Sequence, residues 1–376
     1  MNPFTPTFGV SPSVVLGRDL IVERFSQGLN GGVGDPRRTL LISGPRGIGK
    51  TITLNEIEDA AIREGWVVLR AQPHSLVQPL VDTAIPHALS MVKQDSTGGR
   101  RISSISLAGV GAISTEKAND VQPAPSLITE LNTLCGAVGK QSGVLVTLDE
   151  VQSAKPSELW ELSSAIQDLR RDNQHIAFAA AGLPDGIATL LKHPGTTFLR
   201  RAQHVSLVPM TPAETVEILR TTAQEGDIAF KESALDDAVA LTRGYPFLIQ
   251  LLGFHLVEEV RSHNRSVIGS NDVASVSDAV LDTLGQLVHE PALAGVPNAQ
   301  LEYLEAMAQL QEGSAPVSTA AIAAHLEKQP QHLTMVRQGL IQRELVYSPR
   351  RGFLNFVIPH MAHHLLNGGV QDFGWD

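Results

Sequence analysis

Residues 44–51 read Gly-Pro-Arg-Gly-Ile-Gly-Lys-Thr, a full match to the phosphate-binding pattern G-x-x-x-x-G-K-[ST]. An apolar run over 39–43 precedes this stretch, and a helix-compatible stretch over 51–64 follows it. In a strand–loop–helix arrangement of this kind, the glycine-rich turn and the N-terminus of the helix direct backbone N–H groups at one anion. The context favours a nucleotide site in an α/β fold over an ordinary glycine-rich turn.

The pattern assigns roles to individual residues of this loop. Lys50 is expected to reach the β- and γ-phosphates, and Thr51 is expected to ligate Mg²⁺. The candidate residues for binding ATP or ADP are Gly44, Pro45, Arg46, Gly47, Ile48, Gly49, Lys50, Thr51 and Ile52.

A second apolar run, 143–148, ends in two acids, Asp149 and Glu150. In open α/β sheets, ligands bind at the carboxyl ends of the strands. Asp149 is therefore expected to hold Mg²⁺ through water, and Glu150 to orient or deprotonate the attacking water. Two acids could also form a solvated strand end, but the upstream loop favours the site. A glutamate beside the aspartate favours hydrolysis over nucleotide storage.

Composition limits the class of protein. The 376 residues are 43% hydrophobic and carry a net charge of −10, which fits a globular chain of two or three domains. We see no apolar run of transmembrane length and no signal peptide at the N-terminus. The single cysteine, Cys135, excludes an intramolecular disulfide and a cysteine-based zinc site. These features predict a cytoplasmic protein without a membrane contact, and they argue against a uniformly basic nucleic-acid binder.

Strands alternate with helices up to residue 208, which predicts a parallel sheet covered by helices. Thr211-Pro212-Ala213-Glu214 predicts a capping box that starts a helical region through about residue 285. Residues 289–297 are interpreted as a linker. Residues 92–125 are rich in Ser, Gly and Ala, and predict either a flexible surface loop or a protruding hairpin that contacts DNA or a protein.

The C-terminal stretch, 299–366, predicts a winged helix: three helices, two strands around a turn at 348–352, and a last helix. In the third helix, 329–344, the residues expected to face inward are Leu333, Val336, Leu340 and Ile341. The candidate DNA-binding residues are Arg337 and Gln338 in that helix and Arg350 and Arg351 on the wing. The module is not strongly basic, so a protein-contact role stays open.

The loop at 44–51, the Asp149-Glu150 strand, the strand at 176–182 and the helical region after it resemble AAA+ ATPases, in the branch of origin-recognition-type replication initiators. The resemblance covers most of the chain. It implies an α/β fold with a P-loop ATPase domain at 1–208, a helical lid at 209–290 and a winged-helix domain at 297–376.

The resemblance also implies roles for residues outside the two motifs. Val14, Val15 and Gly17 would lie at the adenine base. Arg200 or Arg201 would act as an arginine finger on the nucleotide of a neighbouring copy, which implies a homo-oligomer. The alternative is that these arginines pair with acids of their own subunit.

Two features depart from the family pattern. The strand at 176–182 ends in Ala181-Gly182-Leu183-Pro184, without the polar sensor residue usual there, so hydrolysis is expected to be slow or water to be positioned differently. The lid carries Arg243-Gly244-Tyr245-Pro246-Phe247, and this Gly-x-Pro resembles signal-transduction (STAND) ATPases, in which the proline, here Pro246, packs near the nucleotide.

Two functional hypotheses follow. The leading one is an ATPase whose nucleotide state gates binding of double-stranded DNA by the winged helix. The competing one is a STAND-like switch that acts on a protein partner. An accessory ATPase of a mobile-element or defence system is a third reading, which the sequence does not separate from the first.

Overall fold

The computed structural model describes residues 1–7, 9–98, 106–107, 126–139, 142–192 and 199–367. The chain divides into two compact units. The first unit holds Met1–Gly17, Pro45–Gly49 and the chain from Val208 onward, and the second holds Arg18–Gly44 and Lys50–Leu207. The middle of the phosphate loop therefore groups with the C-terminal part of the chain.

The second unit consists of a parallel sheet and the helices that cover it. Its elements are α1 (Asp19–Asn30), β1 (Thr39–Ser43), α2 (Lys50–Arg63), β2 (Val67–Ala71), α3 (Val77–Pro79), α4 (Ile85–Gly98), β3 (Ser106–Leu107), α5 (Leu127–Val138), β4 (Val144–Leu148), α6 (Pro156–Arg171), β5 (Ile176–Gly182), α7 (Pro184–Lys192) and β6 (Gln203–Ser206).

The strand order is β3-β2-β4-β5-β1-β6, and every pairing is parallel. Strands β1, β4 and β5 are buried along their whole length, as expected for a sheet covered on both faces. Ser43 pairs with Gly182, and Leu148 pairs with Ala180. The ends of β1, β5 and β4 therefore lie side by side, which confirms the predicted α/β fold and places its two motifs at one edge.

The region predicted as an insertion, 92–125, begins as regular helix rather than as a loop. Helix α4 continues to Gly98, and Ser106–Leu107 pairs in parallel with β2. Residues 99–105 and 108–125 lie outside the described residues.

The first unit is mainly helical. Its elements are α8 (Pro212–Glu225), β7 (Ala229–Phe230), α9 (Glu232–Thr242), α10 (Pro246–Ser262), β8 (Val267–Ile268), α11 (Ser270–Leu284), α12 (Glu290–Leu293), α13 (Asn298–Leu310), β9 (Val317–Ser318), α14 (Thr319–His325), α15 (Thr334–Gln342), β10 (Val346–Tyr347), β11 (Phe353–Phe356) and α16 (Met361–Leu366).

The predicted capping box at the start of α8 is confirmed. The Thr211 hydroxyl accepts from the Glu214 N–H at 3.2 Å, and a Glu214 carboxylate oxygen accepts from the Thr211 N–H at 2.7 Å. The purely helical reading of 212–285 was wrong in one respect, because β7 and β8 form a short parallel pair.

The predicted linker at 289–297 begins in regular structure. A π-helical turn over Gly285–His289 runs directly into α12, and His289 is 1% exposed. Exposed positions follow at Pro291, Ala294, Gly295 and Pro297.

The C-terminal module, residues 298–366, has the predicted order of three helices, a strand pair and a last helix. A third strand, β9, completes the sheet in the order β10-β11-β9. Helix α15 starts at Thr334 rather than 329, and Ile341 is 39% exposed instead of facing inward. No helix in the described part of the chain is long and apolar enough to cross a membrane.

Candidate nucleotide site

The phosphate loop has the backbone that its glycines predict. Gly47 and Gly49 have φ angles of 72° and 96°, a conformation that glycine adopts without a steric penalty. Helix α2 begins directly after them at Lys50, which is 5% exposed. A turn of this kind ending in a helix N-terminus presents consecutive N–H groups to an anion.

The two sequence motifs meet through one hydrogen bond. The Thr51 hydroxyl donates to Asp149 Oδ2 at 2.6 Å, although the residues are 98 positions apart. A hydroxyl and a carboxylate side by side are oxygen donors of the kind that Mg²⁺ takes, so the donor set fits this ion. Among the described residues, no group of three or more His, Cys, Asp or Glu side chains could hold a metal alone.

Glu150 follows Asp149 in a left-handed conformation, with φ 51° and ψ 48°. Its N–H donates to Asp149 Oδ1 at 2.8 Å. Such a backbone costs a non-glycine residue about 1–2 kcal/mol. The turn separates the two acids: Asp149 is engaged by Thr51, whereas Glu150 is exposed and available to a water molecule.

Gln152 holds the Glu150 side chain, and sequence reasoning missed it. Gln152 Nε2 donates to Glu150 Oε2, and Gln152 Oε1 accepts from the Leu183 N–H at 3.0 Å. A Cβ on Gly182 would lie 2.8 Å from Gln152 Oε1 and 2.5 Å from Val151 Cγ1, so the bare end of β5 leaves room for the glutamine. The sequence signal was the glutamine two positions after the acid pair.

A buried carboxylate connects the elements that carry the two motifs. Glu58 in α2 is 2% exposed, and it accepts from the Thr147 hydroxyl of β4 and from Arg70 Nε of β2, both at 2.6 Å. Sequence reasoning missed this cluster as well. It fixes the helix that begins with Lys50 against the strand that precedes Asp149.

Residues predicted to lie at the base belong to the first unit. Val14 and Val15 are half-buried, and Gly17 has a φ of 71°. A Cβ on Gly17 would lie 2.6 Å from Glu214 Oε1, so this position requires glycine. Pro246, half-buried, is the first residue of α10 in the same unit.

Comparison with known proteins identifies the region that contains both motifs. Residues 14–178 match the family model described as an AAA ATPase domain. This part of the chain is an AAA ATPase domain. Residues 286–365 match a domain of unknown function (DUF8462). No curated protein matches the chain.

Solved structures share the fold of the AAA ATPase domain and the parts that follow it. A Walker-type ATPase of Pyrococcus abyssi, paby2304, has a TM-score of 0.64 at 16% identity, covering 94% of this chain and 96% of that one. The ORC2 protein of Aeropyrum pernix, solved in ADPNP–ADP complexes, has a TM-score of 0.58 at 16% identity, covering 97% and 96%. At this identity the likeness shows the fold alone.

The two candidate finger arginines lie outside the region matched to the AAA ATPase domain. Arg200 and Arg201 are exposed, and Arg200 Nε donates to the Leu191 carbonyl at 2.8 Å. Neither forms an ion pair within the described residues, although pairing with an acid of the same subunit was one of the two readings.

The four candidate DNA-binding residues lie on two elements of the C-terminal module. Gln338 is exposed on α15, whereas Arg337 is half-buried. Arg351 is exposed at the turn between β10 and β11, and the Arg350 guanidinium lies 4.0 Å from the centre of the Phe353 ring. The exposed part of α15 also carries Met335, which is 75% exposed.

Proposed function

We propose that this AAA ATPase hydrolyses ATP with Lys50, Thr51, Asp149 and Glu150, and that its nucleotide state controls DNA binding by the C-terminal module. The observation that carries the proposal is the 2.6 Å hydrogen bond between Thr51 and Asp149, since it joins the phosphate loop to the acidic strand end. The match of residues 14–178 to the AAA ATPase family supports it.

Each residue has a separate part in the reaction. Lys50 neutralises phosphate charge at the start of α2, and the loop N–H groups bind the same phosphates. Thr51 and Asp149 would hold Mg²⁺, which neutralises charge on the phosphate oxygens when bound. Glu150 accepts the proton of the attacking water, and Gln152 keeps its carboxylate in one orientation.

Arg200 or Arg201 would complete the site in an assembly. An arginine from a neighbouring copy stabilises charge on the transferring phosphoryl group. Their exposure, and the lack of an acidic partner in the described part of the chain, support this role. A homo-oligomer is therefore part of the proposal.

We interpret the C-terminal module as a winged helix that binds duplex DNA. In this interpretation α15 enters the major groove with Gln338 and Arg337, and the turn between β10 and β11 places Arg350 and Arg351 at phosphates. The order of helices and strands and the exposure of three of these four side chains support it.

Fluorescence anisotropy with a labelled duplex tests the DNA part of the proposal. The duplex is titrated with ATP, with ADP and without nucleotide, across a salt series. Phosphate contacts from Arg350 and Arg351 predict a log–log salt slope of about −2. Replacing Arg350 and Arg351 by alanine should reduce the slope by about 2, while the exposed pair Arg24→Ala/Arg63→Ala should leave it unchanged. No binding at low salt, or binding indifferent to nucleotide, would overturn the gating.

A second candidate function is a STAND-like switch that binds a protein. Met335 and Ile341 on α15 are exposed apolar side chains, and Tyr347 on β10 is 46% exposed. Such a surface suits a protein partner better than a phosphate backbone. Tightly held ADP in the purified protein, together with no DNA binding at any salt concentration, would favour this function.

A further inference from the structure

A buried tyrosine of the first unit contacts the phosphate loop. Tyr245, in the turn between α9 and α10, is 1% exposed, and its hydroxyl donates to the Arg46 carbonyl. Burial raises the pKa of this phenol, so the hydroxyl stays protonated and remains a donor. Two residues later, the Phe247 N–H donates to the Gly47 carbonyl at 3.3 Å. Two consecutive loop carbonyls thus accept from one turn.

The fit around these bonds depends on two glycines. A Cβ on Gly47 would overlap the Tyr245 hydroxyl oxygen, so a side chain there would displace the tyrosine. A Cβ on Gly244 would overlap the Met210 carbonyl oxygen, and the Met210 N–H donates to the Gly244 carbonyl at 2.7 Å. The turn is therefore fixed to the residue that precedes the capping box of α8.

The chemistry of the peptide group gives these bonds a consequence for anion binding. The Arg46 carbonyl belongs to the same peptide as the Gly47 N–H, and the Gly47 carbonyl to the same peptide as the Ile48 N–H. A peptide whose carbonyl accepts a hydrogen bond is a stronger donor through its N–H, by about 10–30% per bond in condensed-phase estimates. The N–H groups of such a loop are the groups that bind phosphate.

We propose that the turn Gly244–Phe247 braces the phosphate loop, with Tyr245 as a positioning residue that strengthens its N–H donors toward the nucleotide phosphates. This inference rests on the proposed nucleotide site and adds a residue that contacts the loop rather than the ligand. Because binding free energies are reciprocal, bound phosphate stabilises the turn by the same factor that the turn adds to phosphate binding. Tyr245 thereby links nucleotide occupancy to the start of α10.

The variant Tyr245→Phe removes one oxygen and keeps the ring that fills the space. We expect ADP, measured by isothermal titration calorimetry with Mg²⁺ present, to bind about five-fold more weakly, because the loop N–H donors lose the cooperative strengthening of about 10–30% per bond. Tyr303→Phe is the matched control, since Tyr303 in α13 is also 1% exposed. The Tyr303→Phe protein should bind ADP with the affinity of the wild type.

Hydrogen exchange gives a second readout, the effect of ADP on amide exchange, which would not change if Tyr245 had only a structural role. ADP should slow exchange of the Phe247 amide in the wild-type protein, and the slowing should shrink about five-fold in Tyr245→Phe. If Tyr245→Phe lowers the melting temperature but leaves the ADP Kd within two-fold, the brace is refuted. If ADP has no effect on Phe247 exchange in the wild type, it is refuted as well.

A third variant separates this inference from the nucleotide site itself. Lys50→Ala should abolish ADP binding. If Lys50→Ala binds ADP as well as the wild type, the site assignment fails, whatever Tyr245 does. If Lys50→Ala loses binding while Tyr245→Phe binds like the wild type, only the brace fails.

Discussion

Removing the buried carboxylate of Glu58 tests whether the helix behind the phosphate loop is fixed to the sheet as the structure shows. The substitution is Glu58→Ala. It deletes the acceptor for the Thr147 hydroxyl and for Arg70, whose terminal nitrogen lies 2.5 Å from the carboxylate. The deleted side chain does not belong to the phosphate loop.

The expected cost is the sum of two losses. The Thr147 hydroxyl, 2% exposed, loses its acceptor in a buried place, which costs about 1–3 kcal/mol. Arg70 loses a charged partner, but its side chain is 37% exposed and water can solvate it, so this part is discounted to about 1 kcal/mol. The free energy of unfolding of the second unit should therefore fall by about 3 kcal/mol.

Urea unfolding followed by tryptophan fluorescence measures this change in the second unit. Trp66, 3% exposed, and Trp160 both belong to that unit. The remaining tryptophan, Trp375, is replaced by phenylalanine in the wild type and in the variants, so that the signal reports one unit.

An exposed ion pair supplies the control. Asp168, in the same unit as Glu58, is 49% exposed and lies 3.4 Å from Arg171, and Asp168→Ala should change the free energy of unfolding by less than about 0.5 kcal/mol. A loss below about 1 kcal/mol for Glu58→Ala, or equal losses for both variants, would show that Glu58 does not fix α2 to β2 and β4.

Two further predictions concern Gln152 and pH. Gln152→Ala should lower kcat for ATP about three- to ten-fold with little change in KM, because it frees the Glu150 carboxylate, and steady-state phosphate release measures both. An unchanged kcat would contradict this role. Burial lowers the pKa of His289 from its ordinary 6.5 to about 3, so the stability that its neutral form provides is present above pH 6.5 and is lost as pH falls. The free energy of unfolding, measured with urea, should be about 1 kcal/mol lower at pH 5.5 than at pH 7.5 because of this residue. His289→Gln should remove that difference, whereas the exposed His325→Gln should keep it. The same difference between the two pH values in both variants would refute the prediction.

Local patterns were enough to predict the elements that carry the ATPase motifs. The apolar runs before Gly44 and Asp149 are fully buried strands, and the capping box at Thr211 starts α8 as its residues require. Each of these signals lies within about ten residues, and the chemistry of the P-loop has few alternatives.

Contacts that depend on strand register could not be predicted in the same way. Gln152 meets the Leu183 N–H because Leu148 pairs with Ala180 on the neighbouring strand, and no local pattern encodes that pairing. Glu58 is likewise a polar residue on the buried side of α2, and its partners come from β2 and β4. The Tyr245 contact with Arg46 spans 199 residues.

Errors in the C-terminal half have local physical causes. The strands β7 and β8 have two residues each, too few for a periodic signal. At α15 the buried residues are Leu340 in the helix and Leu333 at its N-cap, and the residue after Leu340, Ile341, lies about 100° further around the helix and is exposed. His289 was interpreted as the start of a linker because Pro291 and Pro297 follow it, whereas its ring is buried and bonded to the Pro359 carbonyl.

ATP turnover by Glu150→Gln, with ATP binding measured on the same preparation, shows directly whether Glu150 is the base of an ATPase site. We predict an ATP affinity equal to that of the wild type and a turnover at least about 100-fold lower, since the base that takes the proton of the attacking water is gone. Turnover near the wild-type rate in Glu150→Gln, with no contaminating activity in a parallel Lys50→Ala preparation, would contradict it.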